Sequence, residues 1–382
     1  MTKSLPTTSG LTRRAFTCGL SSVAALAVPS LHAQSSNRIV LGQSAAFTGA
    51  AAQLGIQFHA GAKLFFDQLN AQGSARRIEI EQLDDGYEPD RCAENTRKLI
   101  ERDVFALFGY IGTPTSVVAL PLATKAEMPF VAPFTGAMSL RQPFNRIAFH
   151  LRASYNDETE LIVRNLHNLG LNRVAVFYQN DAYGKAGLDG TVAALAARGL
   201  KPVATGTVER NTVNVAAAVA SINAGNPQAV VQISAYKSCA AYIRAARKAG
   251  YGGSFYNVSF VGTQALADEL GAEAAGVVVS QVMPNPYSAA KPITREFRDA
   301  IAKDGNKVQA NYSSLEGFLA AKLFAEGLRR ASRPGPEGLI SGLESIGDTS
   351  FGGYGVTLNA KDHVASKFVE LSMLTGDGKI RT

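Results

Sequence analysis

The stretch LFGYIGTPTSVV, residues 107–118, passes from a buried-strand pattern into a helix start through a turn built of Gly109, Gly112, Thr113 and Pro114. With Pro114 as the first helical residue, Thr113 reads as an N-cap whose hydroxyl accepts from exposed backbone N–H groups. A small hydroxyl residue at a helix start also suits an anion, because the first N–H groups of a helix are unpaired and carry partial positive charge. The next apolar run, MPFVAP at 128–133, is followed by Phe134, Thr135, Gly136 and Ala137, again hydroxyl and glycine beyond a strand. If the two strands are neighbours, both turns aim N–H groups and hydroxyls into one crevice, which fits a ligand carboxylate.

Working outward from that stretch, apolar runs alternate with amphipathic segments. The runs include IVLG, IEIEQL, VFALFG, RVAVFY, QAVVQI and AGVVVSQ. Leu54, Phe58, Ala62, Phe65 and Leu69 share one helical face, as do Leu188, Val192 and Leu195, and Leu315, Phe318, Leu319 and Leu323. Apolar strands alternating with helices predict α/β architecture with parallel, doubly wound sheets. Sites in that class lie beyond the carboxyl ends of strands, where strand order reverses. The rhythm breaks at FHLRASYNDE (149–158) and at QVMPNPYSAAKP (281–292), which predicts two lobes. We expect lobe 1 to hold 36–152 plus 284–350 and lobe 2 to hold 153–283 plus 351–382. After 292 the pattern gives two long helices and no strand until about Phe351.

Composition narrows the function. The chain has 382 residues, 46% hydrophobic and 18% charged, enough for two cores. Three of its seven net positive charges belong to Lys3, Arg13 and Arg14, which leaves +4 after residue 33. Its basic residues are scattered with no aromatic-interleaved stripe, so nucleic-acid binding is not expected. LTRRAF at 11–16, then an apolar run and SLHAQ, read as an export signal resembling the twin-arginine type, cut near Ala33. Cys18 precedes the apolar run, which argues against lipidation. Cys92 and Cys239 sit at helical spacing with apolar neighbours and read as small buried hydrophobes, not as a disulfide.

His59, His150, His167 and His363 have no partner at zinc-ligand spacing, so no metal is expected. No nucleophile elbow, phosphate loop or dinucleotide fingerprint occurs. Asp84, Asp85 and Gly86 suit a strand-end turn better than a cation site, and FGGYGV at 351–356 suits a turn. An enzyme and a cofactor are therefore not expected.

Six strings, LGQSAAFTGAAAQLG, DDGYEPDR, GYIGTPTS, PFVAPFTGA, DAYGKAGL and FVGTQAL, occur in the order and spacing of the leucine/isoleucine/valine-binding protein family. The mature chain resembles these periplasmic solute receptors of ABC importers over about residues 37–375. The resemblance implies a type I fold, two Rossmann-like lobes joined by three crossovers, closing on a ligand. It implies that Thr113 binds the ligand carboxylate, with Thr135 and Gly136 donating beside it. It further implies that Tyr183 and Tyr236 close over the ligand from lobe 2 and that Leu54 lines the side-chain pocket. Gln264 falls where amino-acid binders carry a glutamate for the α-ammonium, and a glutamine cannot neutralise that charge. Tyr87 and Gly112 stand where the family's early disulfide would be. The expected partners are a small carboxylate ligand and an inner-membrane ABC permease, the receptor itself being monomeric. A ligand sensor of the same fold feeding a signalling partner is the alternative.

Overall fold

Runs of two to eight residues become the strands of two sheets in the computed structural model, which describes residues 38–73 and 76–382. The export-signal reading, Cys18 included, lies outside the described residues. The first sheet contains β1 (Arg38–Ala45), β2 (Arg77–Asp84), β3 (Ala106–Phe108), β4 (Phe130–Val131) and β5 (Ala148–Phe149), ordered β2-β1-β3-β4-β5. All four pairings are parallel. Parallel neighbours need crossovers, and α1 (Ala52–Ala71), α2 (Pro89–Glu101) and α3 (Thr113–Lys125) supply three of them.

The second sheet repeats the plan. It contains β6 (Val174–Gln179), β7 (Thr205–Val208), β8 (Ala229–Ile233), β9 (Ser254–Asn257) and β10 (Val278–Gln281), ordered β7-β6-β8-β9-β10. The surrounding helices are α4 (Tyr155–Asn168), α5 (Ala182–Ala196), α6 (Ala216–Ala224), α7 (Tyr236–Lys248) and α8 (Thr263–Leu270). In both sheets the order reverses between the first strand and the third, so each lobe has a switch point at the carboxyl ends of its central strands. The doubly wound α/β class read from the sequence is the one observed.

The C-terminal part differs from the expectation in detail. It holds three helices, α9 (Pro292–Lys303), α10 (Tyr312–Arg330) and α11 (Pro336–Glu344), where two were read. The strand expected near Phe351 begins earlier: β11 (Gly347–Phe351) pairs antiparallel with β12 (Tyr354–Leu358) across Gly352–Gly353, the turn anticipated for FGGYGV. β13 (Glu370–Leu374) and β14 (Ile380–Arg381) then extend the second sheet as antiparallel edge strands. Neither was read, because a five-residue strand of mixed polarity has no periodic signature.

The last helices do not follow the second sheet. α10 lies against α1, backbone on backbone: a Cβ on Gly61 would meet the Ser314 carbonyl at 1.8 Å, and one on Gly317 would meet the Phe58 carbonyl at 1.9 Å. Phe324 of α10 then packs against Phe66 and Phe108 under the first sheet. Three segments thus link the two sheets: 150–154, 282–291 and 359–369. They are tied together. The His150 N–H donates to the His363 carbonyl at 2.8 Å, and the Tyr354 hydroxyl sits 3.2 Å from the Leu151 carbonyl and 3.3 Å from that of Val282. Among the described residues no helix is long and apolar enough to cross a membrane.

Candidate functional site

The pairing of β3 with β4 continues past the strands. Phe134 donates to the Tyr110 carbonyl at 2.8 Å and Gly112 to the Phe134 carbonyl at 3.2 Å, through an isolated bridge of Ile111 with Phe134. This fastens the two turns side by side, and the Thr113 and Thr135 hydroxyls meet at 2.7 Å, both fully buried. The expected cap is corrected. Gly112, at φ 94° and ψ 163°, is the cap residue of α3, no side chain caps that helix, and Thr113 is already helical. Gly112 can hold this conformation because it lacks a Cβ. The Thr113 hydroxyl is therefore free to face Thr135 instead of its own helix.

The Thr135 hydroxyl also accepts from the Ala137 N–H at 3.2 Å. Only one of the two hydroxyl protons is used between the threonines, so one remains to donate. The Gly136 carbonyl accepts from the Tyr155 N–H at 2.8 Å, and the Gly136 backbone N–H faces the Tyr155 hydroxyl. Gly136 admits no side chain, since a Cβ there would lie 2.6 Å from the Tyr155 nitrogen. Tyr155 starts α4, which a capping box of Ser154 and Asp157 fixes in place. Its hydroxyl lies beside the Thr135 hydroxyl and the Gly136 backbone, that of Tyr183 is buried without a protein partner, and the two rings lie 5.4 Å apart.

Two buried guanidinium groups stand behind these turns. Arg152 forms a two-pronged pair with Glu316 of α10, Nε and Nη2 at 2.8 and 2.7 Å, lies 4.1 Å over the Phe134 ring, and leaves Nη1 unpartnered. Arg141 has no carboxylate partner. Its Nη1 donates to the Ala137 carbonyl at 2.9 Å, and its Nη2 reaches those of Thr135 and Arg152 at 3.2 and 3.1 Å. Burial, then Arg152, pulls its pKa down to about 10, so it stays charged at neutral pH. The buried Glu158 carboxylate lies near enough to act on both guanidinium groups, and Asp157 on Arg141, so the two cations are balanced by Glu316 and by these acids.

The second lobe contributes rings. Phe260, in the turn after β9, lies 4.6 Å from Tyr183 of its own lobe and 5.7 and 5.8 Å from Phe134 and Tyr87 of the first. Its turn is pinned by the buried Glu158, which accepts from the Ser259 N–H and hydroxyl at 2.7 and 3.0 Å and from the Ser280 hydroxyl at 2.5 Å. Tyr87 also packs on Gly112, where a Cβ would lie 2.3 Å from the ring. The two positions matched to a disulfide are thus in contact, ring against glycine.

The sequence-derived residues separate into three places. Thr113, Thr135 and Gly136 form one seat, and Tyr183 adjoins it through Tyr155 and Phe260. Leu54 and Tyr236 belong to a second interlobe contact: Leu54 packs on Gly262, and the Tyr236 hydroxyl lies beside the Gln53 backbone. Gln264 is engaged elsewhere. Its Nε2 donates to Asp268 at 2.8 Å and its Oε1 accepts from the Tyr287 hydroxyl at 2.8 Å. Sequence reasoning missed Arg141, Arg152, Tyr155 and Phe260. Arg152 and Tyr155 stood inside FHLRASYNDE, which was read only as a break; the Ser154 to Asp157 spacing was the available signal.

At the rim the lobes grip each other. Glu88 accepts from Arg210 Nη2 and Asn211 Nδ2, each at 2.7 Å, and Gln179 Nε2 donates to the Tyr87 hydroxyl at 3.3 Å. Two doubly wound lobes, three linking segments and a buried hydroxyl seat facing aromatic side chains define a two-lobed ligand receptor. The chain belongs to the periplasmic binding protein family, whose model matches residues 38–379. This is a family of solute-binding proteins and not of enzymes. The chain is similar to the crystal structure of a possible leucine/isoleucine/valine-binding protein from Rhodopirellula baltica. That likeness is 33% identity and a TM-score of 0.86, covering 90% of this chain and 95% of that one. A substrate-binding periplasmic protein from Ralstonia solanacearum is 30% identical with a TM-score of 0.84, covering 90% and 99%. By sequence, Leu/Ile/Val-binding protein homolog 7 of Brucella suis is 24% identical, over 92% of each chain.

Proposed function

We propose that this protein is the periplasmic receptor of an ABC importer, exported with removal of its signal near Ala33, and that it closes as a monomer on a small carboxylate-bearing solute. The observation that carries the reading is the Thr113–Thr135 hydroxyl pair at 2.7 Å, fully buried where two turns are fastened side by side, with the Arg141 and Arg152 guanidinium groups behind it. A carboxylate there would take the spare hydroxyl proton and the Gly136 N–H, and closure would exclude water from those bonds.

The guest lacks a charged α-amine in this reading. The acids nearest the seat are committed: Glu316 to Arg152, Glu158 to Ser259 and Ser280, and Asp181 to the start of α5 and to Gln179. Gln264 is turned to Asp268 and Tyr287 and carries no charge. An ammonium buried without a partner costs about 3–5 kcal/mol, so aromatic or branched aliphatic acids fit better than branched-chain amino acids. The rings of Phe260, Tyr183 and Tyr87 offer such a guest stacking surface. The test is calorimetric titration of ligand-stripped protein with arylcarboxylates, branched aliphatic acids and leucine, alongside mass spectrometry of solute released on denaturation. Arylcarboxylate or aliphatic-acid binding that Thr113→Ala weakens is the expected result. Tight leucine binding with no binding of the amine-free acids overturns the ligand class, and an unchanged affinity in Thr113→Ala overturns the seat.

A further inference from the structure

A cavity of about 440 Å³ lies where the turn after β4 meets the linking segments 150–154 and 359–369. Arg141, Phe144, His150, Ser154, Lys361 and Lys367 are among the residues that line it. Two of these side chains are more than nine-tenths buried, Arg141 at 7% exposure and His150 at 2%, and each keeps one nitrogen without a protein partner. For Arg141 that atom is Nε, a donor. For His150 it is Nδ1. The His150 Nε2 lies 3.1 Å from the Leu140 carbonyl, which can only accept, so Nε2 carries the ring proton. Burial and the adjacent Arg141 hold the ring neutral, which makes Nδ1 an unused acceptor.

The charges around the cavity favour an anion. Lys361 and Lys367 are exposed and enter no ion pair among the described residues. The two acids present are already engaged: Asp157 accepts from the Ser154 N–H and hydroxyl at 2.9 and 2.6 Å, and Asp362 from the Val364 N–H at 3.0 Å. Arginine and lysine donors call for an oxyanion. A bare imidazole nitrogen calls for a guest that also brings a hydroxyl proton. A monoprotonated phosphoryl group supplies both, whereas sulfate at neutral pH supplies only the first.

We infer that this cavity between the linking segments is a second ligand site, taking a small oxyanion of the hydrogenphosphate class, with Arg141 Nε–H and the two lysines donating and His150 Nδ1 accepting the guest's hydroxyl. The site stands apart from the hydroxyl seat and does not depend on which solute the cleft takes.

Titration calorimetry on the ligand-stripped full chain tests it with inorganic phosphate, methyl phosphate and sulfate near pH 6, where methyl phosphate retains its proton in part. Phosphate is expected to bind one per chain, and sulfate at least tenfold more weakly. The surface double variant Lys361→Ala/Lys367→Ala is expected to weaken phosphate binding tenfold or more while cleft-solute affinity stays within twofold. Binding of methyl phosphate as well as phosphate assigns the site to phosphomonoesters, and binding of phosphate alone assigns it to the free anion. No binding of either phosphate, equal binding of sulfate, or an unchanged phosphate affinity in the lysine variant overturns the inference. Loss of phosphate binding in Thr113→Ala also overturns it, by placing the anion in the cleft.

Discussion

The two lobes share one strand order and use it for opposite surfaces. In the first, the turns beyond β3 and β4 are made of Gly112, Thr113, Thr135 and Gly136, with Arg141 and Arg152 behind them. In the second, the turns at the same ends carry Tyr183, Tyr236 and Phe260, with Glu158 behind Phe260. Each topology delivers its turns to the cleft, but the fold does not say what they carry. The first lobe presents hydroxyl and N–H donors; the second presents rings. A hydroxyl and N–H seat is rigid because its bonds are directional, while ring contacts tolerate sliding, so in the proposed function the lobe that would hold a charged end and the lobe that would close over it are different ones.

The largest expected effect attacks the first lobe's charge arrangement. Glu316→Gln leaves Arg152 buried without its counter-ion, and urea unfolding should show a loss of about 3–5 kcal/mol. Replacing Arg152 with Met as well should recover part of that loss; a double variant as unstable as the single one would show that the pair acts by packing alone.

Both lobes also bury one acid against hydroxyls, Asp85 against Ser44 in the first and Glu158 against Ser259 in the second. Burial pushes the Asp85 pKa up to about 6, above its unfolded value near 3.9. The folded state therefore holds that proton more tightly, and this group's contribution to stability falls as pH rises from about 4 to about 6, then levels off. A rise from about 4 to about 6 amounts to about 3 kcal/mol. Asp85→Asn, which stays neutral, should remove that part of the slope. Chemical denaturation at pH 4.5, 5.5 and 7 would show it, and parallel curves for the two proteins would contradict the shift.

A smaller effect separates the seat from its cover. Thr113→Ala should weaken the carboxylate ligand about 10- to 100-fold, the equivalent of one hydrogen bond to a charged group at about 1.5–3 kcal/mol, with little change in melting temperature. The smallest concerns the rim. Glu88→Gln weakens the grip of Arg210 and Asn211 on the first lobe, and partly exposed pairs of this kind contribute about 0.2–1 kcal/mol. A one- to five-fold weaker ligand affinity is expected, larger at low salt than at high salt. Small-angle scattering of the unliganded protein should then shift toward a wider lobe angle.

Legibility followed the range of the forces. The strands β1 to β4 and β6 to β10 and the faces of α1 and α10 were readable because apolar period is a local property of the chain; the α5 face was misread, since Val192 is 40% exposed and the helix turns Gly184, Gly187, Thr191 and Leu195 inward. The seat was readable at Thr113 and Thr135 because both follow a strand in a glycine-containing turn. The cap was misread because Thr113 and Pro114 satisfy a local rule, whereas Gly112 and the distant Thr135 settle the geometry. Gln264 was singled out by its place in a motif, and its partners Asp268 and Tyr287 became visible only in the fold.

By itself the sequence determined the doubly wound class, the two-lobe plan and the polar character of one crevice wall, since these depend on periodicity and on residue types within a few positions of each other. Only the tertiary structure decided that Arg141 ties residues 135 and 137 to the first linking segment, that Glu316 comes from α10 to neutralise Arg152, and that Phe260 covers the seat. Those contacts join residues far apart in the chain, and burial gives them their strength: a charge or hydroxyl withdrawn from water must find whatever partner the fold brings near.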